Sequence, residues 1–234
     1  MNIALIAYPY ASNLEEFDPL IQEEGVTLVP LREMTRLDRF HAIILPGSKN
    51  TAASLRYLRQ TGLAAAITRA AQKGIPVLGI CGGLQMLGAA IHDPHGVEGA
   101  PGSSVGLGWL DLETTLAADK QLRNVQGRLA FADAGVRGYE IHCGVSRGPA
   151  LETPACVLDD GRHDGAVSKD AQILASYLHG LFDEPAALVA LLEWAGLRDA
   201  APLDINALRE ASLERLADAV EVHLDTARLR ELSM

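Results

Sequence analysis

The chain of 234 residues is short of aromatics and has only three cysteines. Cys81, Cys143 and Cys156 form an odd, widely spaced set, which excludes a disulfide framework and points to a reducing compartment, the cytoplasm. Basic residues are the scarcer charge. With 20 Lys and Arg against 30 Asp and Glu, the formal charge is −10, and no basic block or basic–aromatic run occurs. Phosphate backbones and anionic lipids are held by clustered Lys and Arg, so neither nucleic acid nor a membrane is expected as a partner. The opening MNIALIAYPY lacks the basic region of a secretory signal, and no apolar run could span a bilayer. Repeats, low-complexity tracts and a clear linker are also missing. What remains is 48% apolar, enough for a substantial core in one domain, residues 1–234.

The first third alternates strand-like and helical patterns. Ile3 to Ala7, Val26 to Val29, Ala42 to Leu45 and Pro76 to Ile80 are apolar runs suited to strands covered on both faces. Thr51 to Lys73 has the spacing of a helix, with Leu55, Leu58, Leu63, Ile67 and Ala71 on one stripe and a break near Thr61-Gly62. This order predicts an α/β fold with an open, mostly parallel sheet flanked by helices. From Gly106 the texture changes. Trp109 to Leu116 alternates, and short strand-like pieces recur to about Val157, which predicts an antiparallel extension. Gly99 to Gly108 reads as a flexible loop covering a pocket. Ile173 to Tyr177 is a further strand, Ala186 to Trp194 a helix, and a long helix starts near Asp204 with Leu213, Leu216, Val220 and Leu224 on one face.

The sharpest local signal is GIPVLGICGGLQMLG, residues 74–88. A buried strand runs into a glycine-rich turn and then a helical pattern at Leu84, Leu87 and Ile91. Such a turn presents a nucleophile at the head of a helix, where unpaired N–H groups and the macrodipole favour a thiolate. Cys81 sits at the hinge; a merely packed cysteine would not need Gly79, Gly82 and Gly83 around it.

A thiolate nucleophile needs a proton carrier. Of seven histidines, His179 is the best placed, just past the end of a strand and beside Gly180. In open α/β sheets the crevice lies beyond the strand C-termini, so the Cys81 and His179 strands can meet there. The strand ending Leu45-Pro46-Gly47-Ser48 offers an oxyanion hole, with the N–H of Gly47 or Ser48 acting beside that of Gly82. Gly47 to Thr51 superficially resembles a phosphate loop, but it lacks the upstream glycine and four-residue spacer. His92 and His95 lie in a Pro- and Gly-bearing loop with no further ligands, so no metal site is expected. Cys143 and His142, as neighbours on a strand, should face opposite ways. Cys156 reads as buried filler.

Five segments occur together: LPGSKNT (45–51), GICGGLQMLG (79–88), GLGWLDLETT (106–115), GYEIH (138–142) and SYLHGLFD (176–183). Together they resemble the glutamine amidotransferase domain of cobyric acid synthase, a branch of the class I, triad-type glutaminases, over nearly the whole chain. The resemblance implies a flavodoxin-like fold and a glutaminase half-reaction. Cys81 would attack the side-chain amide of L-glutamine, His179 would protonate departing ammonia, and water would hydrolyse the glutamyl thioester. Ammonia would pass to an ATP-dependent synthetase that amidates corrinoid carboxylates. Gln85 matches a position that helps shape the glutamine pocket, although its spacing also suits a solvent-facing helix residue. Tyr139, Glu140 and His142 match a family motif placed near the pocket or the synthetase interface; without it they read as a strand of alternating exposure.

Two departures from the wider class follow. Many class I glutaminases have a glutamate two residues after the histidine; Leu181 stands there, so the third member is missing or comes from elsewhere. Asp183 and Glu184 read as helix-start or solvated carboxylates. No Walker motif is present, so ATP and Mg are expected on a synthetase domain or subunit, with no cofactor in this chain. Two alternatives are the glutaminase subunit of another amidating ligase, of the kind that amidates lipid II, and a silent interaction module of the same fold.

Overall fold

The structure, a computed structural model, describes residues 1–200 and 203–224. Its contacts divide the chain into a unit of Met1–Leu203 and a second beginning at Asp204. In the first, six strands form one sheet in the order Ala166–Val167, Ile173–Ser176, Val77–Ile80, Ala42–Leu45, Asn2–Ile6, Thr27–Leu31. All neighbours are parallel except the short Ala166–Val167, which runs antiparallel to Ile173–Ser176. All four residues of Ala42–Leu45, Val77–Ile80 and Ile173–Ser176 are buried, as helices on both faces require. Thr27–Leu31 lies at the edge, where Pro30 takes no ladder bond away from a central strand.

The expected helical stretch is two helices, Thr51–Gln60 and Leu63–Ala71, split at Thr61-Gly62 as the pattern indicates. The helix after Cys81 is shorter than its spacing suggests. It spans Gly82–Leu87, and Ile91 belongs to a strand, Ala90–Asp93. The reason is visible in the backbone. Leu107 N–H donates to Met86 O at 2.7 Å, while Trp109 and Leu110 donate to Leu87 O at 2.9 and 3.1 Å. Those bonds satisfy carbonyls at the helix end, and they hold Trp109 and Leu110 out of the strand, which starts at Glu113. The glycine-rich segment expected as a loop contains a strand, Gly102–Val105, paired with Ala90–Asp93.

The antiparallel extension is a seven-stranded sheet built on the hairpin Glu113–Leu129/Gly135–Arg147. Only its pairing of Ala90–Asp93 with Glu113–Leu129 is parallel. Leu178–His179 is its edge strand, with Tyr139 opposite His179 and Glu140 opposite Leu178. Only Tyr177 separates that strand from Ile173–Ser176 of the parallel sheet. His179 therefore stands where one sheet hands the chain to the other.

The second unit contains the helix Ile205–His223, opened by Asp204 Oδ1 accepting from Ala207 N–H at 3.0 Å. It starts where the pattern places it, with Leu213, Leu216 and Val220 exposed. Among the described residues, no helix is long and apolar enough to cross a membrane.

Candidate active site

Cys81 joins strand Val77–Ile80 to helix Gly82–Leu87 at φ 53°, ψ −105°. A non-glycine residue rarely adopts such a backbone, and holding it costs about 1–3 kcal/mol. The surroundings impose it: Cys81 N–H donates to Ser176 O at 2.8 Å, and Cys81 O accepts from Gln85 N–H at 3.2 Å. Gly82 and Gly83 let the turn approach its neighbours. A Cβ on Gly82 would sit 2.8 Å from Ser48 N, and one on Gly83 would strike Leu45 O. The elbow thus brings Gly82 against the Ser48 backbone, beside the buried thiol. Gly47 pairs with Ser12 in a two-residue ladder, and a Cβ there would lie 3.2 Å from His179 Cε1.

His179 is almost wholly buried, and Nδ1 lies 3.1 Å from each carboxylate oxygen of Glu16. With Nδ1–H donating to Glu16, Nε2 is left free of that bond; the Cys81 thiol donates to Ile141 O at 3.7 Å and interacts with the imidazole. Burial alone would lower the imidazole pKa, but the bonds to Cys81 and Glu16 outweigh it and raise it to about 10. Burial pushes Glu16 up as well, against the bond from His179. The Tyr139 ring stacks on His179 with centroids 5.2 Å apart, and its hydroxyl accepts from Asn13 Nδ2 at 2.8 Å.

Glu16 stands beside His179 where Leu181, a fully buried apolar residue, offers no polar group. It lies on a one-turn helix, Leu14–Phe17, after the first strand, and Glu15-Glu16 in sequence resembles an ordinary solvated pair. The one available signal was position, because this loop follows the C-terminal end of a central strand.

Cys81 and His179 line a cavity of about 330 Å³, together with Ser48, Gln85 and His142. Gln85 is buried rather than solvent-facing; its Oε1 accepts from Thr51 Oγ1 at 2.9 Å and its Nε2 donates to Tyr177 at 3.3 Å. His142 stacks on Tyr177 at 3.9 Å, donates Nδ1–H to Gly144 O at 2.8 Å, and has its pKa lowered by burial. Cys143 lines the same cavity. The strict alternation expected for 142 and 143 fails because the register shifts between His142 and Gly144. Glu140 turns elsewhere, its two oxygens 3.0 and 2.9 Å from Arg162 Nη1. Glu184 pairs with Arg137 at 3.5 Å. Cys156 is fully buried, which pushes its thiol pKa up. His92 bonds Ser103 and Glu113, and no metal-binding cluster occurs among the described residues.

This geometry has counterparts. The fold is similar to a chain in the PurLQS structure from Thermotoga maritima, with 16% identity and a TM-score of 0.61, covering 82% of this chain and 98% of that one. A structure described as a glutamine amidotransferase gives 20% identity and a TM-score of 0.62, over 83% and 99% of the two chains. At these identities the likeness establishes the fold. Family membership comes from residues 2–187, which match the CobB/CobQ-like glutamine amidotransferase domain. The chain belongs to that family.

Proposed function

We propose that Cys81 is the nucleophile and His179 the proton carrier of a glutaminase, with Glu16 orienting the imidazole. The observation that carries this is the Cys81 elbow opening into the same cavity as the Glu16-supported His179. The chain is a glutamine amidotransferase. The Cys81 thiol passes its proton to His179 and the sulfur bonds to the side-chain carbonyl carbon of glutamine, whose oxygen takes up negative charge. Backbone N–H groups of Ser48 and Gly82 would meet that charge, a role supported by the close approach of Gly82 to the Ser48 nitrogen. Collapse breaks the C–N bond as His179 gives its proton to the departing ammonia. Water, giving a proton to His179, then opens the thioester to glutamate and restores the thiol.

The acceptor we propose is a corrinoid carboxylate activated by an ATP- and Mg-dependent synthetase domain or subunit, making this the glutaminase half of cobyric acid synthase. SKNT, GYEIH and YLHGLFD support that branch. Incubation with glutamine and the synthetase should release glutamate and amidate cobyrinic a,c-diamide, and Cys81→Ala should abolish both. Equal turnover by Cys81→Ala removes the nucleophile assignment. Co-purification with a Mur-ligase-like subunit instead moves the acceptor to lipid II.

A further inference from the structure

Tyr177 joins strand Ile173–Ser176 of the parallel sheet to the strand that carries His179. Its side chain is buried, yet it makes more polar contacts than packing requires. The hydroxyl accepts from Gln85 Nε2 at 3.3 Å and lies 2.7 Å from Ser146 Oγ. Ser146 Oγ in turn lies 2.7 Å from the hydroxyl of Thr114, its register partner across the hairpin. Because Gln85 donates, the Tyr177 proton is left for Ser146, and the Ser146 proton for Thr114. Burial pushes the Tyr177 hydroxyl pKa up to about 12, so that proton stays in place near neutral pH. Packing alone does not account for the hydroxyl. A phenylalanine ring would stack on His142 equally well, and Ser146 already has Thr114.

Gln85 and Tyr177 meet where Gly144 leaves room. A Cβ there would strike Gln85 Nε2 and lie 3.2 Å from Tyr177 Oη. The last torsion of a glutamine side chain has no sharp minimum, so a free amide turns easily. Here both ends are held: Thr51 Oγ1 donates to Gln85 Oε1 at 2.9 Å, and Tyr177 takes Nε2. These bonds use one Nε2 hydrogen, and an amide carries two. Gln85 lines the Cys81 cavity, so the plane of its amide decides how the second hydrogen is presented to a ligand there. Tyr177 and Ser146 are not among the described residues lining that cavity, so they reach a ligand only through Gln85 or His142.

We infer that Tyr177 is a positioning residue for the substrate: its hydroxyl, backed by Ser146 and Thr114, fixes the orientation in which the Gln85 amide meets glutamine. The inference rests on Cys81 acting on glutamine, and its test separates the two.

Cys81 labelling is followed at its own peptide by mass spectrometry with two electrophiles: 6-diazo-5-oxo-L-norleucine, a glutamine analogue, and iodoacetamide, which is not. Tyr177→Phe keeps the ring and its stack and removes only the hydroxyl. It should raise the half-saturating diazoketone concentration about fivefold, the scale of one neutral hydrogen bond, and leave the iodoacetamide rate unchanged. Gln85→Met, which keeps the volume and loses the amide, should raise it at least as far. Adding Tyr177→Phe to Gln85→Met should then change it no further, whereas a merely structural hydroxyl would multiply the two effects. Multiplied effects, an unchanged half-saturation in either single variant, or equal slowing of both reagents overturns the assignment. If Tyr177→Phe does not fold, Ser146→Ala takes its place. Removing the acceptor of the Tyr177 proton should raise half-saturation in the wild type but not in Gln85→Met, and any other pattern overturns the assignment. A wild-type Cys81 that takes iodoacetamide but never the diazoketone removes the glutaminase reading itself.

Discussion

Glu16 and His179, 163 residues apart in sequence, meet inside the protein with both carboxylate oxygens 3.1 Å from Nδ1. The contact fixes which ring nitrogen is left for other partners, and in the proposed mechanism it would support the charge the ring carries between attack and ammonia release. Glu16→Gln should keep the shape and lose both effects. We expect glutamine turnover to fall about 10²-fold with little change in KM. The variant should also shift the pH response. His179 is raised from 6.5 to about 10, so its stabilising contribution is complete below about pH 6.5 and fades as pH climbs through 10. Glu16→Gln should move that loss to lower pH in denaturation curves and in the alkaline limb of Cys81 labelling. An unmoved limb would show that Glu16 does not support the imidazolium.

The parallel sheet, the Cys81 elbow and the strand carrying His179 were legible because each is local. Four apolar residues, a glycine-framed turn and a histidine after a strand all lie within short windows. Glu16 was not legible because its meaning is tertiary: nothing within NLEEF distinguishes a solvated glutamate from one buried against His179. The same holds at Ile91 and Trp109. Their spacing suits one element, but backbone groups from Leu107 to Leu110 close the end of the preceding helix and reassign them. His142 and Cys143 share the cavity only because of a register shift, which alternation cannot foresee.

Gly82 and Ser48 are close enough that a single methyl group would intervene. A Cβ at position 82 would meet both Ser48 N and Ser48 Cβ at 2.8 Å. Gly82→Ala should force these backbones apart, removing one oxyanion donor while leaving the thiol and imidazole in place. Steady-state kinetics should show kcat reduced about 10²- to 10³-fold. Iodoacetamide should still label Cys81, and failure to do so would mean the elbow itself had collapsed.

Asp164 provides a pH test away from the cavity. It is buried, accepts from Ser176 Oγ, and takes Tyr177 N–H at 3.1 Å, anchoring the segment that delivers His179. Burial raises its carboxyl pKa from 3.8 to about 6. The folded state therefore holds this proton more tightly than the unfolded chain, so its contribution to stability falls as pH rises from 3.8 to 6. The difference is worth about 3 kcal/mol. Asp164→Asn should flatten that part of the stability profile in urea titrations, and a slope retained in the variant would assign it to another group.

Tyr8 tests whether the oxyanion turn is held from behind. Its hydroxyl is buried and donates to Pro46 O, the carbonyl of the peptide whose nitrogen belongs to Gly47. Because a trans peptide points its C=O and N–H in opposite directions, fixing Pro46 O also fixes the plane entering Gly47-Ser48. Tyr8→Phe keeps the ring and its packing but leaves a buried carbonyl without this donor, at a cost of about 1–3 kcal/mol. If the bond only stabilises the fold, thermal melting should fall while kcat at a temperature well below the transition stays constant. If it also orients the turn, kcat should fall several-fold with KM and iodoacetamide labelling of Cys81 unchanged, because only the charge-developing step loses its donor. We expect the second pattern, since the pinned carbonyl lies two residues before Ser48, whose nitrogen faces Gly82.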